Sequence, residues 1–82
     1  MKADWVLIKR RSCPPCEKLE SYLRLRLLEH PDALEILDVD RDPELARTYG
    51  LRVPVLLRHG QVVSEGKWEV DRIEEFLREA GR

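Results

Sequence analysis

At 82 residues the chain has room for a single domain, residues 1–82, with a simple core. Hydrophobic residues make up 43% and charged residues 38%, which argues against a disordered chain, and a formal net charge of -1 argues against a nucleic-acid binder. No apolar run approaches membrane length and Met1-Lys2-Ala3-Asp4 starts no signal peptide, so the expected setting is cytoplasmic and away from any membrane.

Residues 4–10 are expected to form a buried strand, because Trp5, Val6, Leu7 and Ile8 follow one another without a polar break. Such a run suits a central strand covered on both faces. Trp5 reads as core, and Lys9-Arg10-Arg11 as the solvated end of the strand.

The two cysteines of the chain follow at once, in Ser12-Cys13-Pro14-Pro15-Cys16. With Cys13 as the cap of a helix and Pro14 as its first residue, Cys16 lies one turn on, within reach of a disulfide. Proline is accepted at the first helical position, where its missing N–H costs nothing. The helix dipole and the free N–H groups of the first turn favour an anion at Cys13. A thiol that titrates near about 8.5 in isolation falls towards roughly 3.5–7.5 in such a setting. A structural disulfide across so short a loop would add little stability. A zinc site would need about four ligands, which one cysteine pair and the distant His30 and His59 do not readily supply, so no metal is expected. In a cytoplasmic setting a catalytic disulfide is also favoured over a permanent one.

The first helix is expected over residues 14–29, with Cys16, Leu19, Leu23 and Leu27 on one stripe and Pro31 ending it. Leu25 lies off that stripe. Residues 34–39 make a second strand. Asp42 then caps a short helix that starts at Pro43, runs through Tyr49 and stops at Gly50. Residues 54–58 and 61–65 are two short strands joined by a tight turn at His59-Gly60. A last helix starts near Asp71, with Glu74 in a capping-box position, buries Ile73, Phe76, Leu77 and Ala80, and ends at Gly81. Asp38 and Asp40 read as caps and loop supports rather than metal ligands, and both histidines as exposed.

The order is β-α-β-α-β-β-α. A right-handed crossover makes the first two strands parallel neighbours, and the closing hairpin adds antiparallel strands. The expected fold class is α/β: a four-stranded mixed sheet with helices on both faces.

Three segments give this chain a resemblance to the thioredoxin superfamily, most of all to its small glutaredoxin-like members. They are Cys13-Pro14-Pro15-Cys16 after a strand, Asp38-Val39-Asp40-Arg41-Asp42-Pro43-Glu44-Leu45, and Tyr49-Gly50-Leu51-Arg52-Val53-Pro54-Val55-Leu56 followed by Gly60. The resemblance implies a thioredoxin-like fold over essentially the whole chain. It implies Cys13 as nucleophile, Cys16 as resolving thiol and Pro54 as a cis-proline that leaves the backbone of Val53 open to a substrate strand. By the same likeness Arg10, Pro14, Pro15, Arg52, Val53, Pro54 and Trp68 are candidate substrate contacts.

Three departures stand out. Leu7 occupies the place of the buried acid of thioredoxins, Ser12 replaces the aromatic residue before the first cysteine, and no paired glycines flank Gly66. The last point, with Glu65 and Glu69 in that loop, argues against glutathione as a partner. The implied activity is thiol–disulfide exchange on protein disulfides by a monomer with no cofactor beyond the Cys13–Cys16 disulfide. A reductase or other dithiol donor would re-reduce it. Two alternatives stay open: a non-catalytic binding module of the same fold, and an iron–sulfur cluster carrier in which Cys13 residues of two chains share the cluster.

Overall fold

A computed structural model of the chain describes residues 3–66 and 69–80. Four strands and three helices alternate in the expected order. They are β1 (Trp5–Lys9), α1 (Pro14–Arg26), β2 (Leu34–Asp38), α2 (Pro43–Tyr49), β3 (Val55–Arg58), β4 (Gln61–Glu65) and α3 (Val70–Ala80). The sheet order is β2-β1-β3-β4. β1 runs parallel to β2, β3 antiparallel to β1, and β4 antiparallel to β3. This is the mixed α/β sheet of a thioredoxin-like fold.

Alternation along the strands sends side chains to two faces. On one face Trp5, Leu7, Leu56 and Val63 pack with Leu19 and Leu23 of α1 and Ile73 and Leu77 of α3, all buried. On the other, Ile8, Val39 and Val55 are buried, and α2 adds the half-buried Leu45 and Tyr49. Burying one such leucine stabilises the fold by about 1.5–3 kcal/mol, so the first face carries most of the hydrophobic stabilisation.

The ends of several elements differ from the sequence expectation. α1 stops at Arg26 rather than at residue 29, because Leu27 turns out of helical geometry while its N–H still bonds to the Leu23 carbonyl at 2.8 Å. The chain then has only a short 3-10 turn, Pro31–Ala33, in which to bring Leu34 opposite Trp5. Val39 leaves β2 and is buried in a second 3-10 turn, Val39–Arg41, whose first free N–H, that of Asp40, bonds to the Asp38 carboxylate at 2.9 Å. β3 begins after Pro54, which has no N–H to give to the ladder.

α3 starts at Val70, so Asp71 lies inside the first turn rather than at the cap, and the Glu69 carbonyl accepts from Ile73 N–H at 3.0 Å. The Glu69 N–H is held by the buried Ser64 hydroxyl at 3.3 Å. Gly50 does not adopt the left-handed conformation expected of a helix-stopping glycine; its φ is -53°. It is glycine for space, since a Cβ there would collide with the Ala46 carbonyl oxygen. At the β3–β4 turn both His59 and Gly60 have positive φ, 49° and 82°, as a two-residue hairpin of this hand requires. Gly81, expected to end α3, lies outside the described residues.

Candidate active site

One end of the sheet gathers the chemistry-bearing segments, and the strand register explains why. Lys9, the last residue of β1, lies opposite Asp38, the last of β2, and Ile8 lies opposite Val55, the first of β3. The loop from Arg10 to Cys13, the turn after β2 and the residues before β3 therefore emerge at the same edge. The end of β4 joins them through Gly66, whose N–H points at the carbonyl oxygens of Arg52, at 2.6 Å, and Pro54, at 3.1 Å.

Cys13 is the N-cap of α1 and Pro14 its first residue. The cap is entered through Ser12, whose φ of 54° turns the chain sharply off the strand. Cys13 and Cys16 are joined as a disulfide with their Cα atoms 5.2 Å apart. The two sulfurs differ in their surroundings. Cys16 belongs to the buried stripe of α1 with Leu19 and Leu23. Cys13 is half-buried, with the exposed Pro14 and Pro15 beside it. Its Sγ accepts a hydrogen bond from Cys16 N–H at 3.3 Å. When the bond is reduced, that N–H and the dipole of a 13-residue helix are aimed at Cys13, and both favour its thiolate. Leu7 is fully buried, so the first strand carries an apolar side chain, not an acid, beneath the site.

The Val53–Pro54 peptide bond is cis. Among the described residues, no hydrogen bond engages the backbone of Val53, whereas those of Arg52 and Pro54 are tied to Gly66. An extended peptide can pair with such a backbone without displacing an existing bond. Leu51, just upstream, is wholly exposed.

The two candidate cationic contacts are both engaged inside the protein. Arg10 lays Nε and Nη2 against the two carboxylate oxygens of Asp40 at 3.0 and 3.1 Å, while Nη1 donates to the Gly50 carbonyl at 2.9 Å. The hydrogen bond to Asp40 raises the Arg10 pKa, and the same bond lowers that of Asp40. Arg52 donates to Glu65 at 2.6 Å and to the Thr48 carbonyl at 2.8 Å, and lies over the ring of Tyr49. Lys9, at the end of β1, bonds to Glu20 on α1 at 2.6 Å, which holds the Glu20 carboxyl below its usual range; Arg24 adds to this from the next turn. The charged run after β1 is thus partly an anchor rather than a solvated end.

In the sequence Glu65 reads only as a charge against glutathione and Asp40 only as a loop support. Their arginine partners are missed there, because each finds its arginine across the fold, 13 and 30 residues away. Their spacing carries no periodic signal. Trp68, the remaining candidate contact, lies outside the described residues. Among the described residues no group of three or more His, Cys, Asp or Glu could hold a metal ion, and no helix is long and apolar enough to cross a membrane.

Comparison with known proteins agrees with this arrangement. The model of the glutaredoxin-like domain matches residues 5–78. The solution structure of protein Ne2328 from Nitrosomonas europaea is similar, with a TM-score of 0.73 and 26% identity over 93% of this chain and 92% of that one. A glutaredoxin from Archaeoglobus fulgidus shares the fold, with a TM-score of 0.65 and 16% identity over 93% of this chain and 87% of that one. A mutant thioredoxin from Halobacterium salinarum is 34% identical, with a TM-score of 0.59, over 94% of this chain and 74% of that one. No curated protein sequence matches the chain.

Proposed function

The chain belongs to the glutaredoxin-like domain family of the thioredoxin superfamily, and from that premise we propose that it is a dithiol–disulfide oxidoreductase acting on protein disulfides. The observation that carries this reading is the inequality of the two sulfurs. Cys13 is half-buried and sits where a helix favours an anion, while Cys16 waits, fully buried, one turn behind it.

The cycle follows from that inequality. The Cys13 thiolate attacks one sulfur of a substrate disulfide, forming a mixed disulfide and releasing the other substrate sulfur as a thiolate. Cys16 gives up its proton, which ends on the substrate thiolate already released, and attacks Cys13 Sγ. The Cys13–Cys16 disulfide forms, and the second substrate sulfur leaves. Two electrons have passed from the dithiol to the substrate, and a second dithiol protein returns them by the reverse exchange. During the mixed-disulfide stage the free backbone of Val53 pairs with the substrate chain, and the exposed Pro14 and Pro15 give it an apolar seat, while Pro54, fully buried, holds the Val53 backbone in place. The protein acts in this reading as a monomer in the cytoplasm.

Trapping tests the roles. Cys16→Ser removes resolution but leaves attack, so mixed disulfides accumulate with a disulfide substrate such as insulin. Cys13→Ser traps nothing and abolishes reduction of insulin. Equal trapping by both variants would overturn the assignment of roles, and an absence of insulin reduction by the unaltered protein would overturn the activity.

A further inference from the structure

Two cations stand at the same end of the sheet as the dithiol, and each is already bound to a carboxylate of the same chain. Arg10 presents its guanidinium fork to both oxygens of Asp40, the geometry in which an arginine receives a free carboxylate from a ligand. Arg52 is held by Glu65 and the Thr48 carbonyl, and its flat side lies 5.2 Å from the centre of the Tyr49 ring. Both pairs sit at the substrate end of the sheet. Arg10 lies three residues before Cys13, and Arg52 directly precedes Val53.

We propose that Asp40 and Glu65 are specificity-determining residues: they fill the anion positions of Arg10 and Arg52, so that the site turns away substrates bearing free carboxylates and accepts uncharged polypeptide disulfides. This rests on the oxidoreductase reading above.

The physical argument is one of competition. A carboxylate tethered within hydrogen-bond reach acts at an effective concentration on the order of millimolar or more, so a free carboxylate at lower concentration does not displace it. Displacement would also leave Asp40 beside the incoming anion, and like charges at that distance repel. The neighbouring cations do not make up the loss. Arg11 and Lys18 are exposed and have no ion pair among the described residues. No hydrogen bond fixes either one, so they attract an anion without orienting it. The sheet end therefore offers a disulfide the uncommitted backbone of Val53 and the apolar Leu51, Pro14 and Pro15. A polypeptide uses such groups, whereas a small thiol carrying two carboxylates finds the guanidinium forks of Arg10 and Arg52 already occupied.

The test uses two mixed disulfides of one neutral peptide, one with glutathione, which carries two carboxylates, and one with mercaptoethanol, which carries none. The unaltered protein is expected to show a higher KM for the glutathione form. In Asp40→Asn/Glu65→Gln the ratio of the two KM values falls about fivefold at low ionic strength, and the gain shrinks in high salt, as screening of an exposed charge requires. Adding Arg10→Gln to that variant returns the ratio towards its starting value. Melting curves of each variant verify that it is folded. A ratio that does not move in the double variant, or a lower KM for the glutathione form in the unaltered protein, overturns the proposal while leaving the oxidoreductase reading intact. Failure of the unaltered protein to reduce either mixed disulfide or insulin overturns that reading, and the specificity proposal with it.

Discussion

The two faces of the sheet are built to different depths. Under α1 and α3, Trp5, Leu7, Leu19, Leu23, Leu56, Val63 and Ile73 are at most 1% exposed and form one continuous core. Under α2, a helix of only seven residues, Val6, Leu37, Leu57 and Val62 stay half-buried around three fully buried residues. An opening of about 780 Å³ remains there, lined by Val6, Leu37, Leu45, Tyr49 and Leu57 among others. The dithiol straddles this difference. Cys16 lies on the buried stripe of α1, the helix of the thick face, whereas Val53 and Tyr49 pack on the thin one. In the proposed cycle the resolving sulfur, Cys16, is thus fully buried on the deeper-packed face. The loop that would admit a substrate in that cycle rests on the face most of whose apolar side chains are only half-buried.

Truncation of one leucine on each face gives the largest contrast. Leu23→Ala empties a fully enclosed site and is expected to lower unfolding stability by about 2–5 kcal/mol. Leu37→Ala, on a half-buried edge-strand position, removes less enclosed surface and is expected to cost about 1 kcal/mol. Urea denaturation of the two variants measures both. Equal losses would show that the thin face is as well packed as the thick one and would break the comparison.

The pH dependence of stability sharpens it. Glu20, half-buried and bonded to Lys9, ties α1 to β1 at the thick face, while the exposed Asp40, bonded to Arg10, ties the loops at the site. Both carboxyls are held below their ordinary values by those hydrogen bonds. A carboxyl depressed by folding stabilises the fold fully above its unfolded value, and that contribution is lost as pH falls through the folded one. Unfolding midpoints should therefore hold steady from neutral pH down to the ordinary carboxylate range of about pH 4 and decline below it. Glu20→Gln should flatten that decline more than Asp40→Asn, because solvent screens the exposed pair. The reverse order would place the stronger clamp at the site.

How far the sequence leads can be told from particular residues. The apolar run Trp5–Ile8, the stripe Cys16, Leu19, Leu23 and the pair Asp42-Pro43 carry their structure in local chemistry, and each element forms where that chemistry puts it. The dithiol was legible for the same reason, since its cap, its prolines and its two sulfurs lie within five residues. Asp38 and Asp40 were legible as loop supports, as the Asp38 cap bears out. What escaped depends on tertiary approach. The partners of Arg10 and Arg52 are fixed by which strands are neighbours, and Gly50 is required by the Ala46 carbonyl that the last turn of α2 brings against it. The left-handed residues Ser12 and His59 carry no glycine signal, because a polar side chain tolerates the conformation at a cost.

Ser12 offers the smallest effect and the finest test of the comparison. Its φ of 54° lies in the left-handed region, where a side chain with a Cβ meets the following carbonyl and glycine does not. Ser12→Gly removes that conflict but frees the unfolded chain, so the net gain is expected to be only about 0.5–1 kcal/mol. The gain should appear as a raised melting temperature of the oxidised protein. Ser12 sits between Arg10, which is clamped to Asp40 and Gly50, and Cys13, which is set by the cap of α1. Those two anchors fix the turn from both sides, so the added freedom of glycine should be confined to the unfolded state and the rate of Cys13 alkylation in the reduced protein should change little. A stability loss on Ser12→Gly would mean that the serine side chain holds the turn. A large change in alkylation rate would mean that the anchors do not, and that the dithiol end is as loosely built as the α2 face beneath it.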